Sequence, residues 1–243
     1  MIKIAASGDI HAGIDSHDEL RRSFEGLDKR ADIFLLAGDL TRWGEAAEAQ
    51  VLADELERHA LPIIAVLGNH DYHLGEEQAI TDALLNAGVT VLDDAETEVM
   101  VDGVRVGVAG TKGFGGGFLG ACGTEFGEDE MKAFIRHTKS RADALAFGLK
   151  RLDTPVKIAL LHYSPIEDTL DGERLEIFPF LGSHLLGEAI DSAGASLALH
   201  GHAHAGAECG RTPGGVPVRN VAQQVIGSAF AVYELDEEGH LRD

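Results

Sequence analysis

Four short runs of near-continuous apolar residues punctuate the chain: MIKIAAS at 1–7, DIFLLAG at 32–38, LPIIAVLG at 61–68 and VKIALLH at 156–162. Runs of this kind, rich in branched residues and without polar alternation, suit strands buried on both faces. Helical patterns separate them. Ser16 and Glu19 form an S-x-x-E capping box ahead of LRRSFEGLDKR at 20–30. A second helix is predicted in EAAEAQVLADELERHA at 45–60, dense in good helix formers and ending before Pro62. A third is predicted over 76–87, with Gly88 as its C-cap.

Farther on the rhythm changes. TEVMVDGVRVGVAG at 97–110 is two alternating runs joined by Asp102-Gly103, which predicts a β-hairpin. Helices are predicted over 128–152 and 183–193, and strands in SLALHGHAH, VPVRNVA and AFAVYELDEEG. The chain shows no internal repeat, low-complexity tract or linker. The pattern predicts one α/β domain over 1–243, built on a mixed sheet or a pair of packed sheets.

Charge narrows the partners. Acidic residues outnumber basic ones by 41 to 20, for a net charge of −21, which disfavours nucleic-acid backbones and anionic lipid surfaces. A small phosphorylated substrate still fits if metal cations dominate the local field. Cys122 and Cys209 are too few for a disulfide framework and lack zinc-type spacing. No apolar run is long enough to cross a membrane, and MIKIAA leads straight into polar residues without a signal-peptide pattern. The expected location is the cytoplasm.

The candidate chemistry sits where the apolar runs end. The first is followed by Asp9 and His11, the second by Asp39, and the third by Asn69, His70 and Asp71. The run at 156–162 ends in His162, and SLALHGHAH carries His200, His202 and His204. In open α/β sheets, sites gather outside the carboxyl ends of the strands. Positions i and i+2 of an extended segment share a face, so Asp9 with His11, and His202 with His204, are each expected to converge. Glycine precedes Asp9, Asp39, Asn69 and His202 and permits close approach to an ion. Three carboxylate or amide oxygens with several imidazoles suit Mn²⁺, Fe or Zn²⁺ better than Ca²⁺. Seven ligands exceed what one catalytic ion takes, whereas two ions sharing a carboxylate would use them all.

These blocks, in this order, resemble the calcineurin-like metallophosphoesterase superfamily: Asp9-Ile10-His11, Gly38-Asp39, Gly68-Asn69-His70-Asp71, His162, and Gly201-His202-Ala203-His204. The resemblance implies a four-layer α-β-β-α sandwich of two packed mixed sheets flanked by helices. It implies one metal on Asp9, His11, Asp39 and His204, and a second on Asp39, Asn69, His162 and His202, with Asp39 bridging. His70 would not be a ligand but would contact the phosphate and assist the leaving group, and Asp71 would orient its imidazole.

Substrate is less sharply marked. The phosphoprotein-phosphatase branch carries G-D-x-V-D-R-G and G-N-H-E, whereas this chain has GDLTRWG, with Arg42 out of that register, and GNHD. It looks more like the small bacterial phosphodiesterases, which include class III cyclic-nucleotide enzymes. Phosphomonoesterase and nuclease activities belong to the same superfamily. A non-catalytic scaffold, as in the retromer subunit of this fold, would not need His70. The stretch at 110–123 is too glycine-rich for regular structure and reads as either a mobile lid offering Lys112 and Phe114 or a plain loop. The stretch at 162–184, with Tyr163 and Arg174, reads as a substrate wall or a contact in a homo-oligomer. His73 is a further candidate facing the substrate. His200 is expected to be structural, and His17, His59, His137, His184 and His240 are expected to be surface or packing residues.

Overall fold

The computed structural model describes residues 1–242. Strands β1 (Ile2–Ser7), β2 (Ile33–Ala37), β3 (Ile63–Val66) and β4 (Thr90–Val91) open the chain and pair in parallel. The hairpin β5 (Ala95–Val101) and β6 (Val104–Thr111) follows, then a small hairpin of β7 (Gly117–Phe118) and β8 (Ala121–Cys122). After these come β9 (Val156–Leu161), β10 (Leu197–His200), β11 (Cys209–Arg211), β12 (Pro217–Asn220), β13 (Ala231–Leu235) and β14 (Leu241–Arg242). They form two six-stranded mixed sheets, ordered β14-β13-β1-β2-β3-β4 and β11-β12-β10-β9-β6-β5.

Alternation along each strand explains the layering. Ile2, Ile4, Ala6, Ile33, Leu35 and Ala37 of the first sheet pack against Val106, Val108, Ile158, Leu160, Leu197 and Leu199 of the second. The opposite face of the first sheet, with Ala5, Phe34 and Leu36, is covered by α1 (His17–Ser23), α2 (Leu27–Arg30), α3 (Ala46–Leu56) and α4 (Glu77–Asn86), through Leu20, Phe24, Leu27, Leu52 and Leu84. The outer face of the second sheet, with Ala159, Leu161 and Ala198, lies under α5 (Asp129–Arg151) and, after the single turn α6 (Phe178–Leu181), α7 (His184–Ala193). Strands buried on both faces need apolar residues at every position, hence the continuous runs. The result is the four-layer α-β-β-α sandwich.

Most local expectations hold to within a few residues. Val101 pairs with Val104 across Asp102 (φ 47°) and Gly103 (φ 83°), so both turn residues are left-handed as a two-residue hairpin requires. Ser183 caps α7 by accepting from Leu185 N, and α5 begins one residue after Glu128. Three expectations change. Ser16 makes no side-chain cap; its hydroxyl accepts from Gly13 N at 3.0 Å and closes the preceding loop instead. The segment at 20–30 is two short helices, because Gly26 takes φ 77° between them. The second helix stops at Leu56, since the Asp28 carboxylate captures Ala60 N and His59 Nδ1, each at 2.7 Å, and turns the chain toward β3.

Leu35 is fully buried between the sheets. Leu35→Ala is expected to lower unfolding free energy by about 3 kcal/mol in denaturant titrations, the usual cost of a buried Leu truncated in a packed core.

Candidate metal centre

The exits of five parallel strands meet at one edge of the sandwich, and main-chain hydrogen bonds tie them together. Asp9 N donates to Gly38 O at 2.9 Å and His11 N to Asp39 O at 3.0 Å, joining the ends of β1 and β2. Gly8 N donates to Val221 O at 2.8 Å and His202 N to the Asp9 carboxylate at 2.8 Å, joining the first sheet to the second. His162, at the end of β9, donates from Nδ1 to Ala37 O of β2 at 2.9 Å.

These exits are not extended. Among the described residues six non-glycine residues have left-handed φ; Asp9 (56°), His11 (48°), Asp39 (50°) and His202 (71°) are four of them. Such conformations cost of order 1–3 kcal/mol each and concentrate at functional sites. The expected i, i+2 convergence is corrected accordingly. Asp9 and His11 do meet, through alternating left-handed turns. His202 and His204 separate: His204 joins Asp9 and His11, whereas His202 joins Asp39 and His162.

Asp39 stands between these groups. Its carboxylate lies 3.9 Å from His11 Nε2, 3.9 Å from His70 Nε2 and 3.3 Å from His162 Nε2, and it accepts from His70 N at 2.8 Å. Gly68 is required by close approach, since a Cβ there would overlap the Asp39 carboxylate. Gly38 (φ 83°) meets both demands at once, as its Cβ would also sit 2.6 Å from the His162 ring.

The donor set fits a divalent cation. With Nδ1 donating to Ala37, His162 directs Nε2 toward Asn69 Oδ1 at 2.9 Å and Asp39 Oδ1 at 3.3 Å. One ring nitrogen and two side-chain oxygens converge there, the mixed N/O donor set that a divalent cation takes. His202 donates from Nε2 to Phe180 O at 3.2 Å, leaving Nδ1 for the same group. Burial pushes His202 down to about 3 and His200 down to about 4, so both rings stay neutral. Burial also lowers His11, against the charges of Asp39 and Asp9. Burial pushes Asp9 up, but the hydrogen bond from His204 Nε2 at 2.7 Å and the nearby histidine charges leave it below the usual carboxylate value. The same bond raises His204.

His70 has its ring set differently from expectation. Its Nδ1 donates to Arg42 O at 2.8 Å, which leaves Nε2 facing Asp39, and the ring stands edge-on to His11 at 4.5 Å. Asp71 does not hold it. The Asp71 carboxylate accepts from Thr41 N (2.8 Å), Thr41 Oγ1 (2.6 Å), Gly68 N (2.8 Å) and Leu40 N (3.2 Å), so it clamps the exits of β2 and β3 together. Asp71 is therefore a positioning residue. Burial, and then the charge of Asp39, raise its pKa.

The residues expected to touch substrate divide. Lys112 is half-buried, with Nζ 4.6, 5.3 and 5.6 Å from the ring centres of Tyr72, Phe114 and Tyr163, and burial lowers its pKa. Phe114 packs on Phe134 and His137, and Tyr163 is buried against His202 at 4.4 Å, so both rings support the site from behind. Arg174 is exposed, beside Glu173, whose carboxylate accepts from Ala205 N next to His204. His73 is exposed and lies against Trp43. The stretch at 110–123 contains regular structure after all: β7 and β8 pair, and Gly116 and Gly117 donate to Pro179 O and Gly182 O, so its base is packed and only residues 119–121 stand exposed. His200 is buried, with its Nε2 2.8 Å from Thr169 Oγ1.

Several contributors carried no sequence signal of their own. The Arg42 carbonyl holds His70, Thr41 anchors Asp71, and Asn220 donates from Nδ2 to Ala203 O at 2.8 Å, bracing the loop of His202 and His204. The position just after Gly38-Asp39 was the one hint toward Thr41 and Arg42, and Asn220 had none.

A family model of calcineurin-like phosphoesterases matches residues 2–206. No curated protein matches the sequence. Among solved structures, phosphopantetheinyl hydrolase (PptH) from Mycobacterium tuberculosis superposes with a TM-score of 0.68 at 15% identity, over 90% of this chain and 88% of that one. TT1561 of Thermus thermophilus does so at 0.59 and 20% identity, over 99% and 97%. GAP50, the anchor in the inner membrane complex of Plasmodium, does so at 0.55 and 13% identity, over 97% and 81%. At these identities the structural likeness establishes the fold, whereas the family match covers most of the sequence itself. The chain belongs to the calcineurin-like phosphoesterase family and is a phosphoester hydrolase.

Proposed function

We propose that this chain is a dinuclear-metal phosphodiesterase acting on a small phosphorylated substrate, a class that includes cyclic nucleotides. The observation that carries the reading is the Asp39 carboxylate, shared between histidine groups on either side of it. Asp9, His11, Asp39 and His204 would hold one ion, and Asp39, Asn69, His162 and His202 the other. The donor set is that of Mn²⁺, Fe or Zn²⁺. When bound, such a pair supplies Lewis acidity toward the phosphoryl oxygens and an activated water for in-line attack.

The chain's own residues do the rest. Gly38 and Gly68 let the ligand-bearing loops close on one point, and Asp71 keeps the exits of β2 and β3 in register. His70 stands partly open to solvent, its side chain 38% exposed, with Nδ1 anchored and Nε2 turned toward the centre. It is placed to protonate, or to donate a hydrogen bond to, the departing oxygen of the ester. Lys112 stands close enough to Asp39 for the two charges to interact.

Hydrolysis of bis-p-nitrophenyl phosphate and p-nitrophenyl phosphate, measured side by side with Mn²⁺, tests the assignment. Diester cleavage is expected to dominate, and His70→Ala to lose about 10²–10⁴-fold in turnover while keeping its metal content by elemental analysis. Cleavage of the monoester alone would make the enzyme a phosphatase.

Treatment with EDTA followed by dialysis is expected to abolish turnover, and Mn²⁺ to restore it. Asp39→Asn is expected to lower bound metal below two ions per chain, because both groups share that carboxylate. Full metal content in this variant would remove Asp39 from the bridging position.

A further inference from the structure

Three large apolar side chains stand exposed on the loops that flank His70: Ile14 at 64%, Trp43 at 55% and Leu74 at 52%. Their loops are neighbours. Ala12 bridges to Thr41, and Gly13 lies so close to Arg42 that a Cβ would come within 2.6 Å of the guanidinium carbon. Gly44 packs on the backbone of His70 and His73. Isolated apolar residues on a surface are ordinary, but three on adjacent loops beside one open imidazole are not.

Trp43 is the only tryptophan in the chain and directly follows the residue whose carbonyl holds the His70 ring. Its backbone is anchored, because Trp43 N donates to the buried Glu48 carboxylate at 2.7 Å, the same carboxylate that accepts from Glu45 N at the start of α3. Its ring centre lies 6.2 Å from that of His73, with the planes splayed by 50°, so the two rings do not cover each other. Two aromatic faces held open beside a phosphoester site accept a flat ring by stacking, an interaction tolerant of ring identity. Arg42 is already paired with Asp15 at 3.2 Å, so this side offers an aromatic surface and not an unpaired cation. The overall charge of −21 argues against a polyanionic partner and favours a small ligand.

We infer that Trp43 and His73 form a base-binding subsite, and that the substrates of this enzyme are phosphoesters of nucleosides. The inference rests on the phosphoesterase reading for the placement of the phosphate, but not on which ester is cleaved.

The single tryptophan makes the test direct. The protein loaded with Zn²⁺, which does not quench fluorescence paramagnetically, is titrated with adenosine 5′-monophosphate and, separately, with ribose 5-phosphate. Saturable quenching of Trp43 emission by the nucleotide, without a matching change from the sugar phosphate, is expected. By calorimetry, Trp43→Leu is expected to reduce the affinity ratio of nucleotide to sugar phosphate about tenfold, and Trp43→Phe to keep it. Equal responses to both ligands, or an unchanged ratio in Trp43→Leu, would overturn the subsite. A shift in emission with protein concentration alone would also overturn it, by showing that a second copy of the chain covers Trp43. Both readouts are of binding, so base discrimination without any hydrolysis would count against the catalytic reading alone. Hydrolysis without discrimination would count against the subsite alone.

Discussion

The structure turns on one carboxylate that must sit where the ends of β2 and β3 meet a histidine from the opposite sheet. Asp39 is almost wholly buried, with left-handed φ, between a glycine that cannot carry a side chain and the ring of His162. Its oxygens face three imidazoles and one backbone amide. The packing of two parallel-rich sheets face to face makes this possible, because it brings strand exits from both to one edge.

That edge accumulates unfavourable electrostatics. Asp9, Asp39 and Asp71 are all buried, and burial pushes Asp9 and Asp71 toward the neutral form. The protein answers in two ways. Asp71 is satisfied by four donors from the loops it joins, so its cost is offset by hydrogen bonds. Asp9 accepts a hydrogen bond from His204, and Asp39 keeps its oxygens turned toward imidazole nitrogens on either side, an arrangement that a divalent cation stabilises. Strain in the backbone follows the same map: left-handed φ at Asp9, His11, Asp39 and His202 is tolerated because hydrogen bonds between neighbouring strand exits, within and between the sheets, over-determine those turns.

Much of this was legible in the chain because it was local. Apolar runs mark doubly covered strands, Asp102-Gly103 marks its hairpin, and each run is followed by its polar ligand within a few residues. The Ser16 capping box failed because its hydroxyl had a competing donor three residues upstream, and the glycine-rich stretch formed a hairpin because Pro179 and Gly182 supplied acceptors from far along the chain. The orientation of each ligand was not local either. The partners of Asp71 lie 30 and 31 residues away in Thr41 and Leu40, as well as in nearby Gly68, and the anchor of His162 is 125 residues away at Ala37.

By itself, then, the sequence determined most of the elements, the α/β class and the set of side chains at the strand exits, since strand burial and turn chemistry are written in neighbouring residues, while the four-layer arrangement was implied only by the family resemblance. Only the tertiary structure decided which histidine shares a group with which carboxylate, that Asp71 clamps loops while an Arg42 carbonyl sets His70, and that Trp43 stands open beside it. Those outcomes depend on hydrogen bonds and close approaches between segments that only the packing of the two sheets brings together.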